Sequence, residues 1–352
     1  MVRVSHGLAG SLAAFAVFAG SHVIANAQQL QQPQQRPQRV AAIPAPAIAV
    51  SPPAAATYIT QLVAESKSKQ LCESVADRVF IRHDLGTECI AYYATPGQPQ
   101  VQPAVFYFEG DVPAPDLQKP NFTQNYLTTL RTVFRQLSEQ TGVRFVFIGR
   151  PGLFGSSGNH GARRAPTEML TMNLAVDAVK ARLKLTDIVL AGQSGGSTVS
   201  AALLTLGRRD VTCAILGSGL LSVVDIEYAH RVNERLPEIK PALMHVALFD
   251  PTDRLDWIAP LQSRRVFVLG DPTDTRTPFP QQRSFADRMR ALGHHATAIE
   301  VTAQGELMHS VAHLTLPAAA LCARGANDAA IRRAVTPTQR PAARTVTSQV
   351  SR

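Results

Sequence analysis

The chemistry-bearing stretch is Asp187-Ile-Val-Leu-Ala-Gly192-Gln-Ser194-Gly195-Gly196-Ser-Thr-Val, a short apolar run that enters Gly-x-Ser-x-Gly directly. A serine on a tight strand-to-helix turn is forced into a strained backbone that lifts its hydroxyl clear of the sheet. Glycines flank such a serine because a Cβ at those positions would strike the adjoining strand and helix. The bland alternative is a structural Gly-Ser turn. A serine hydroxyl is a poor nucleophile near neutral pH and needs a base, with a carboxylate to orient that base. Both residue types follow later apolar runs. Val266–Leu269 leads into Gly270-Asp271-Pro-Thr-Asp274-Thr-Arg276-Thr-Pro278, and Ala296–Val301 leads into Gln304-Gly305-Glu306-Leu-Met308-His309-Ser310. Asp271 and Asp274 are both available as the acid, and both also suit turns. His309 is the candidate base. His313 lies one helical turn beyond it, where a packed or solvated helix-face histidine is equally natural, and His294-His295 suit a helix end.

These residues need a scaffold of strand ends. Val79–His83 and Glu88–Ala94 read as an antiparallel pair turning at Asp84-Leu-Gly86, followed by the aromatic strand Val105–Phe108. Phe122–Thr141 has helical spacing, with Leu127, Leu130, Phe134 and Leu137 on one face. Val143–Ile148 is continuously apolar, as a parallel strand buried on both faces should be. Helices are expected over Glu168–Leu183, Thr198–Leu206, Pro280–Leu292 and about His309–Arg324, and strands over Ile188–Ala191, Cys213–Leu216, Val266–Leu269 and Ala296–Val301. This alternation predicts an α/β fold, a mostly parallel sheet with helices on both faces.

Gly-x-Ser-x-Gly at a strand end, with the order Ser194, Asp274, His309, resembles the α/β-hydrolases over roughly residues 100 to 322. The resemblance implies a catalytic triad in the order nucleophile, acid, histidine. Asp274 precedes Pro278 by the interval of the family's acid loop, whereas Gly270 stands one residue further away than that pattern has it. His309 stands at the family's position for the base. The resemblance also implies an oxyanion hole in which one donor is the N–H of Gly195. The second donor comes, in the family, from a His-Gly loop after the third strand. Here that loop reads Glu109-Gly110-Asp111, so the backbone of Asp111 or Gly110 is the expected donor. Gly149-Arg150-Pro-Gly152-Leu-Phe-Gly155-Ser156-Ser157-Gly158 is similar to the family's Arg-Gly-x-Gly-x-Ser loop and is read as structural, with Arg150 pinning it. Nothing in it matches the phosphate-cradling glycine motifs. Residues of about 218–262 occupy the family's place for a cap. Leu220, Leu221, Val223, Val224, Tyr228, Leu236 and Trp257 there could line an acyl pocket or belong to the core.

The 352 residues carry a net charge of +9, but the charge is not spread over a face. Arg3, Arg36 and Arg39 near the start, and Arg332, Arg333, Arg340, Arg344 and Arg352 near the end, have no acid beside them; without these eight, 27 basic residues face 26 acidic ones. A body this close to neutral excludes the basic stripe of a nucleic-acid binder. Residues 1–27 read as a signal peptide, with Arg3, the apolar run Leu8–Gly20 and a cleavage site after Ala27. That run is too short to span a bilayer comfortably, so no stable membrane insertion is expected. Residues 28–56, rich in Gln, Pro and Ala, read as a disordered linker. The hydrolase domain is expected over residues 57–330 and a basic disordered tail over residues 331–352. Export to the periplasm or beyond makes disulfides natural for the four cysteines. Cys72–Cys89 is the favoured local pair, the pairing of Cys213 and Cys322 is open, and no C-x-x-C spacing points to a metal.

The expected activity is hydrolysis of a carboxylic ester of a small molecule through an acyl-enzyme, without metal or organic cofactor, by a monomer or loose dimer. A peptidase or amidase with a prolyl-oligopeptidase-like core is the second reading, and a catalytically inactive binding module is the third.

Overall fold

A computed structural model of the chain describes residues 65, 67–98, 103–305 and 307–336. The expected signal peptide, the expected linker and residues 337–352 of the expected tail lie outside the described residues. Eight strands form one sheet: β1 (Arg78–His83), β2 (Gly86–Ala94), β3 (Ala104–Phe108), β4 (Phe145–Ile148), β5 (Ile188–Gln193), β6 (Val211–Gly217), β7 (Arg265–Gly270) and β8 (His295–Glu300). Their order is β1-β2-β4-β3-β5-β6-β7-β8. β2 is antiparallel to β1 and β4, and every pairing from β4 to β8 is parallel. This is the mostly parallel sheet of the α/β-hydrolase fold.

Helices cover both faces, because residues along the central strands alternate between two buried apolar clusters. Phe106, Phe108, Leu190, Leu216 and Val268 point to one cluster. The helices α2 (Pro166–Leu183), α3 (Gly195–Thr205) and α6 (Phe279–Ala291) contribute Met169, Met172, Leu203, Phe285 and Met289 to it. Tyr107, Phe145, Phe147, Val189, Ile215 and Phe267 point to the other, joined by Leu130 and Phe134 of α1 (Phe122–Thr141) and by the C-terminal helix pair α7 (Ala312–Ala323) and α8 (Asp328–Val335). Cap helices α4 (Val223–Asn233) and α5 (Pro241–Ala247) lie between β6 and β7.

Two disulfides brace the fold. Cys72–Cys89 ties the chain before the first hairpin to β2, and Cys213–Cys322 ties β6 to α7 across 109 residues. The expected domain end at residue 330 falls inside α8, where Ile331 and Val335 are buried in the second cluster. That apolar pair, one turn apart, outweighs the basic composition that made this stretch read as tail. Among the described residues no helix is long and apolar enough to cross a membrane.

Candidate active site

Ser194 sits between the end of β5 and the first turn of α3, with φ 55° and ψ −122°. This sparsely populated region costs a non-glycine residue on the order of 1–3 kcal/mol, so surrounding structure must hold it. The Ser194 N–H donates to the Gly217 carbonyl at 2.8 Å, and Ser197 Oγ lies 2.7 Å from the Gly192 carbonyl and 2.8 Å from that of Gly217. The two outer glycines of the motif meet backbone. A Cβ on Gly192 would come within 2.4 Å of Gly196, and one on Gly196 within 2.0 Å of the Phe108 carbonyl oxygen.

The loop after β7 carries the two candidate acids, and their environments divide them. Asp271 Oδ1 accepts the N–H of Thr273 at 2.8 Å and its hydroxyl at 2.7 Å, while Oδ2 accepts the N–H of Ala303 at 2.8 Å. Asp271 therefore ties its own turn to the strand end beside it. Asp274, with a fully buried side chain, accepts the Nδ1–H of His309 on Oδ2 at 2.8 Å. Its Oδ1 accepts the N–H groups of Arg276 and Thr277 at 2.8 and 3.0 Å. Burial alone would raise the Asp274 carboxyl, but the bond from His309 and those from Thr277 hold it below the usual carboxylate range. Thr277, which had no signal in the sequence, places its hydroxyl 2.8 Å from Asp274 Oδ2 and 3.3 Å from His309 Nδ1.

His309 presents Nδ1 to Asp274, which leaves Nε2 as the other ring nitrogen; Nε2 is buried and has no hydrogen-bond partner among the described residues. No hydrogen bond joins it to Ser194 Oγ in this structure; such bonds are often long before substrate binds and tighten with it. His313 is exposed on α7 and borders a separate cavity with Gln136 and Leu137, away from Asp274. His294 follows α6, and His295 opens β8 with Nε2 2.8 Å from Asp328.

The loop after β3 brings Gly110 and Asp111 beside the serine. The Gly110 N–H is taken by the carboxylate of Glu109 at 2.9 Å. Among the described residues, no hydrogen bond takes up the backbone N–H of Asp111 or of Gly195. Glu109 also accepts the hydroxyls of Tyr107, at 3.1 Å, and of Tyr126. Burial pushes its carboxyl up despite these donors and the nearby Arg150.

Behind this loop lies a buried ionic network that the sequence only hinted at. Arg150, 1 % exposed, donates from Nε to Glu168 at 2.8 Å and from one Nη to Asp111 at 2.8 Å and to the Glu109 carbonyl at 3.3 Å. Arg164 pairs with Asp111 as well, and Arg163 Nε lies 3.3 Å from it. Burial would raise the Asp111 carboxyl, but Arg150, Arg164 and Arg163 together hold it far below its ordinary value. His160 accepts the N–H of Val112 at 3.3 Å through Nε2. Burial, reinforced by Arg150, pushes its pKa down to about 4.

Ser194 opens into a cavity of about 700 Å³ between this loop, the acid loop and cap helix α4. Val112, Leu220 and Ile226 give it apolar wall, and Arg163, Arg164, Arg276, Glu227 and Glu234 give it charge of both signs. Of the seven cap residues considered for an acyl pocket, only Leu220 lines it. Leu221, Val223 and Val224 are core, whereas Tyr228, Leu236 and Trp257 face solvent at 36, 43 and 59 % exposure.

No family model and no curated protein matches the chain. Among solved structures it is similar to the acylaminoacyl peptidase of Pyrococcus horikoshii, at 15 % identity over 66 % of this chain and 38 % of that one, with a TM-score of 0.47. The chain thus spans well under half the length of that peptidase. It is also similar to Est1E of Butyrivibrio proteoclasticus, solved with ferulic acid bound (14 % identity, 70 % and 96 % of the two chains, TM-score 0.45), and to the Pyrococcus furiosus esterase Pf2001 (13 %, 63 % and 80 %, 0.44).

Proposed function

We propose that the chain is an exported serine hydrolase that cleaves carboxylic esters through an acyl-enzyme on Ser194. The observation that carries this reading is the Asp274–His309 pair, 2.8 Å long with its carboxylate buried, on strand-end loops of the sheet that carries a serine at φ 55°. His309 Nε2 takes the hydroxyl proton as Ser194 Oγ attacks the ester carbon. The carbonyl oxygen, now an oxyanion, accepts the N–H groups of Gly195 and Asp111. As the tetrahedral species collapses, the ester C–O bond breaks and His309 gives its proton to the departing alkoxide. Water then attacks the acyl-enzyme with His309 again as base, releasing the acid and restoring Ser194. Asp274 remains ionised throughout, fixing the tautomer and stabilising the imidazolium. The two disulfides accord with the export half of the proposal.

Cleavage of amide or peptide bonds is the second reading, favoured by Glu227 and Glu234 in the cavity wall, where a substrate ammonium group finds acidic partners. A fluorophosphonate probe, with p-nitrophenyl esters and aminoacyl p-nitroanilides as substrates, tests both against Ser194→Ala. Labelling and ester turnover that vanish in the variant support the proposal. Anilide turnover without ester turnover moves the activity to peptide bonds. A folded wild-type protein that neither labels nor turns over refutes catalysis and leaves a binding module.

A further inference from the structure

Gln193, the residue before the candidate nucleophile, is 6 % exposed and directs its side chain across the site. Its Nε2 donates to the carbonyl of His309 at 2.9 Å, and its Oε1 accepts the N–H of Val311 at 3.0 Å. One amide thus clamps the backbone on both sides of Ser310, more than 110 residues away in sequence. The orientation is determined by the partners, because the flipped amide would set oxygen against carbonyl and N–H against N–H. Among the described residues, the loop's own backbone bonds are a short bridge, in which Gln304 and Ser310 exchange N–H···O bonds of 2.8 and 3.1 Å, and a turn in which the Met308 N–H donates to the Gly305 carbonyl at 3.1 Å. That bridge holds the loop to itself. The Gln193 clamp holds it to β5, the strand whose end also fixes Ser194.

We infer that Gln193 is a positioning residue that fixes the His309 backbone relative to Ser194, so that the imidazole on the Asp274 carboxylate reaches the serine hydroxyl. The inference rests on the hydrolase reading above. Asp274 and the Thr277 hydroxyl both restrain the imidazole at Nδ1, one corner about which the ring can pivot. The clamp restrains the other end of the residue, at its Cα. A displacement of about 1 Å in such a constellation can lower turnover about 100-fold.

Two near-isosteric variants separate positioning from plain structural support. Gln193→Met loses both bonds. Gln193→Glu keeps the acceptor for Val311 but, when ionised, sets a carboxylate against the His309 carbonyl; when protonated, its O–H restores the missing donor. Burial raises the pKa of such a carboxyl, so the neutral form returns over an accessible range between about pH 8 and about pH 5. The expected result is a fall in kcat of about 10- to 100-fold for Gln193→Met with KM little changed, the loss being the same at every pH relative to wild type. For Gln193→Glu, the ratio of its kcat to that of wild type rises as pH falls. Unchanged kcat in folded Gln193→Met overturns the inference, as does a Gln193→Glu ratio that stays flat with pH. Failure of both variants to fold makes Gln193 a structural residue and overturns it too. Wild-type protein without Ser194-dependent turnover removes the hydrolase reading and, with it, the base that needs positioning.

Discussion

Arg150→Met is the sharpest test of how the loop after β3 is held. The wild-type guanidinium is buried, with Glu168, itself 4 % exposed, on Nε and Asp111 on one Nη. Attraction to Glu168 and Asp111 outweighs the burial penalty and holds the Arg150 guanidinium more firmly protonated than usual. Methionine fills most of the volume but removes the charge. Asp111 then keeps Arg163 and Arg164, so its loss is partial. Glu168 keeps only the backbone N–H of Arg164, and that is where the cost falls. Breaking a buried pair on one side costs about 3–5 kcal/mol, because the other charge stays buried without compensation. Against a typical total of about 5–15 kcal/mol, a lowered urea midpoint at unchanged m-value should be unmistakable. Removing both charges in Arg150→Met/Glu168→Met should recover most of the loss, since a well-packed apolar pair replaces an ion pair at little net cost. A single variant that loses less than about 1 kcal/mol, or a double variant no better than the single, refutes this account of the network.

Three further outcomes follow from the same geometry. Asp274→Asn should lower kcat for ester hydrolysis by about 10⁴-fold through the wrong histidine tautomer, whereas Asp271→Asn, whose wild-type carboxylate serves Thr273 and Ala303, should cost far less; equal losses would reverse the assignment. His160 has a folded pKa of about 4 against an ordinary 6.5, so the unfolded chain binds the extra proton between those values. Stability should therefore fall as pH drops through that window, and His160→Gln, which keeps an acceptor for Val112, should remove that part of the slope in chemical-denaturation series; an unchanged slope would exclude His160 as its source. Replacing Cys213 and Cys322 together by alanine opens a closed loop of 109 residues and should cost about 2–5 kcal/mol in denaturant titrations, most of it through the unfolded chain, with kcat of the folded fraction near wild type.

The parts of this molecule that were legible in the sequence are those whose cause is local. The turn that carries Ser194 is written in two glycines that meet backbone, and parallel strands buried on both faces must be continuously apolar. The choice between Asp271 and Asp274 was not legible from residue types, because each is a good turn former. It depends on which way the loop directs each carboxylate, one to the backbone of its own turn and one to a histidine 35 residues later. The cap misled for a related reason. Val223 and Val224 are buried on the core side of α4, while Ile226, Glu227, His230 and Glu234 line the cavity, so most of the apolar content pointed to the wrong wall. Gln193 had no local signature of its role, since its partner at His309 lies 116 residues away; the glycine-rich loop singled out Arg150 but not its partners, Glu168 18 residues on and Asp111 on the loop after the neighbouring strand β3. The two are satisfied by opposite means. Gln193 is neutral and gains its place by matching one donor and one acceptor of the backbone, whereas Arg150 needs two carboxylates to be buried at all, Asp111 from the loop after β3 and Glu168 from the first turn of α2. The elbow could be read from one stretch of chain because its glycines and the apolar strand before them are contiguous there; the contacts that hold the His309 backbone and the loop after β3 depend on partners that only the folded sheet assembles.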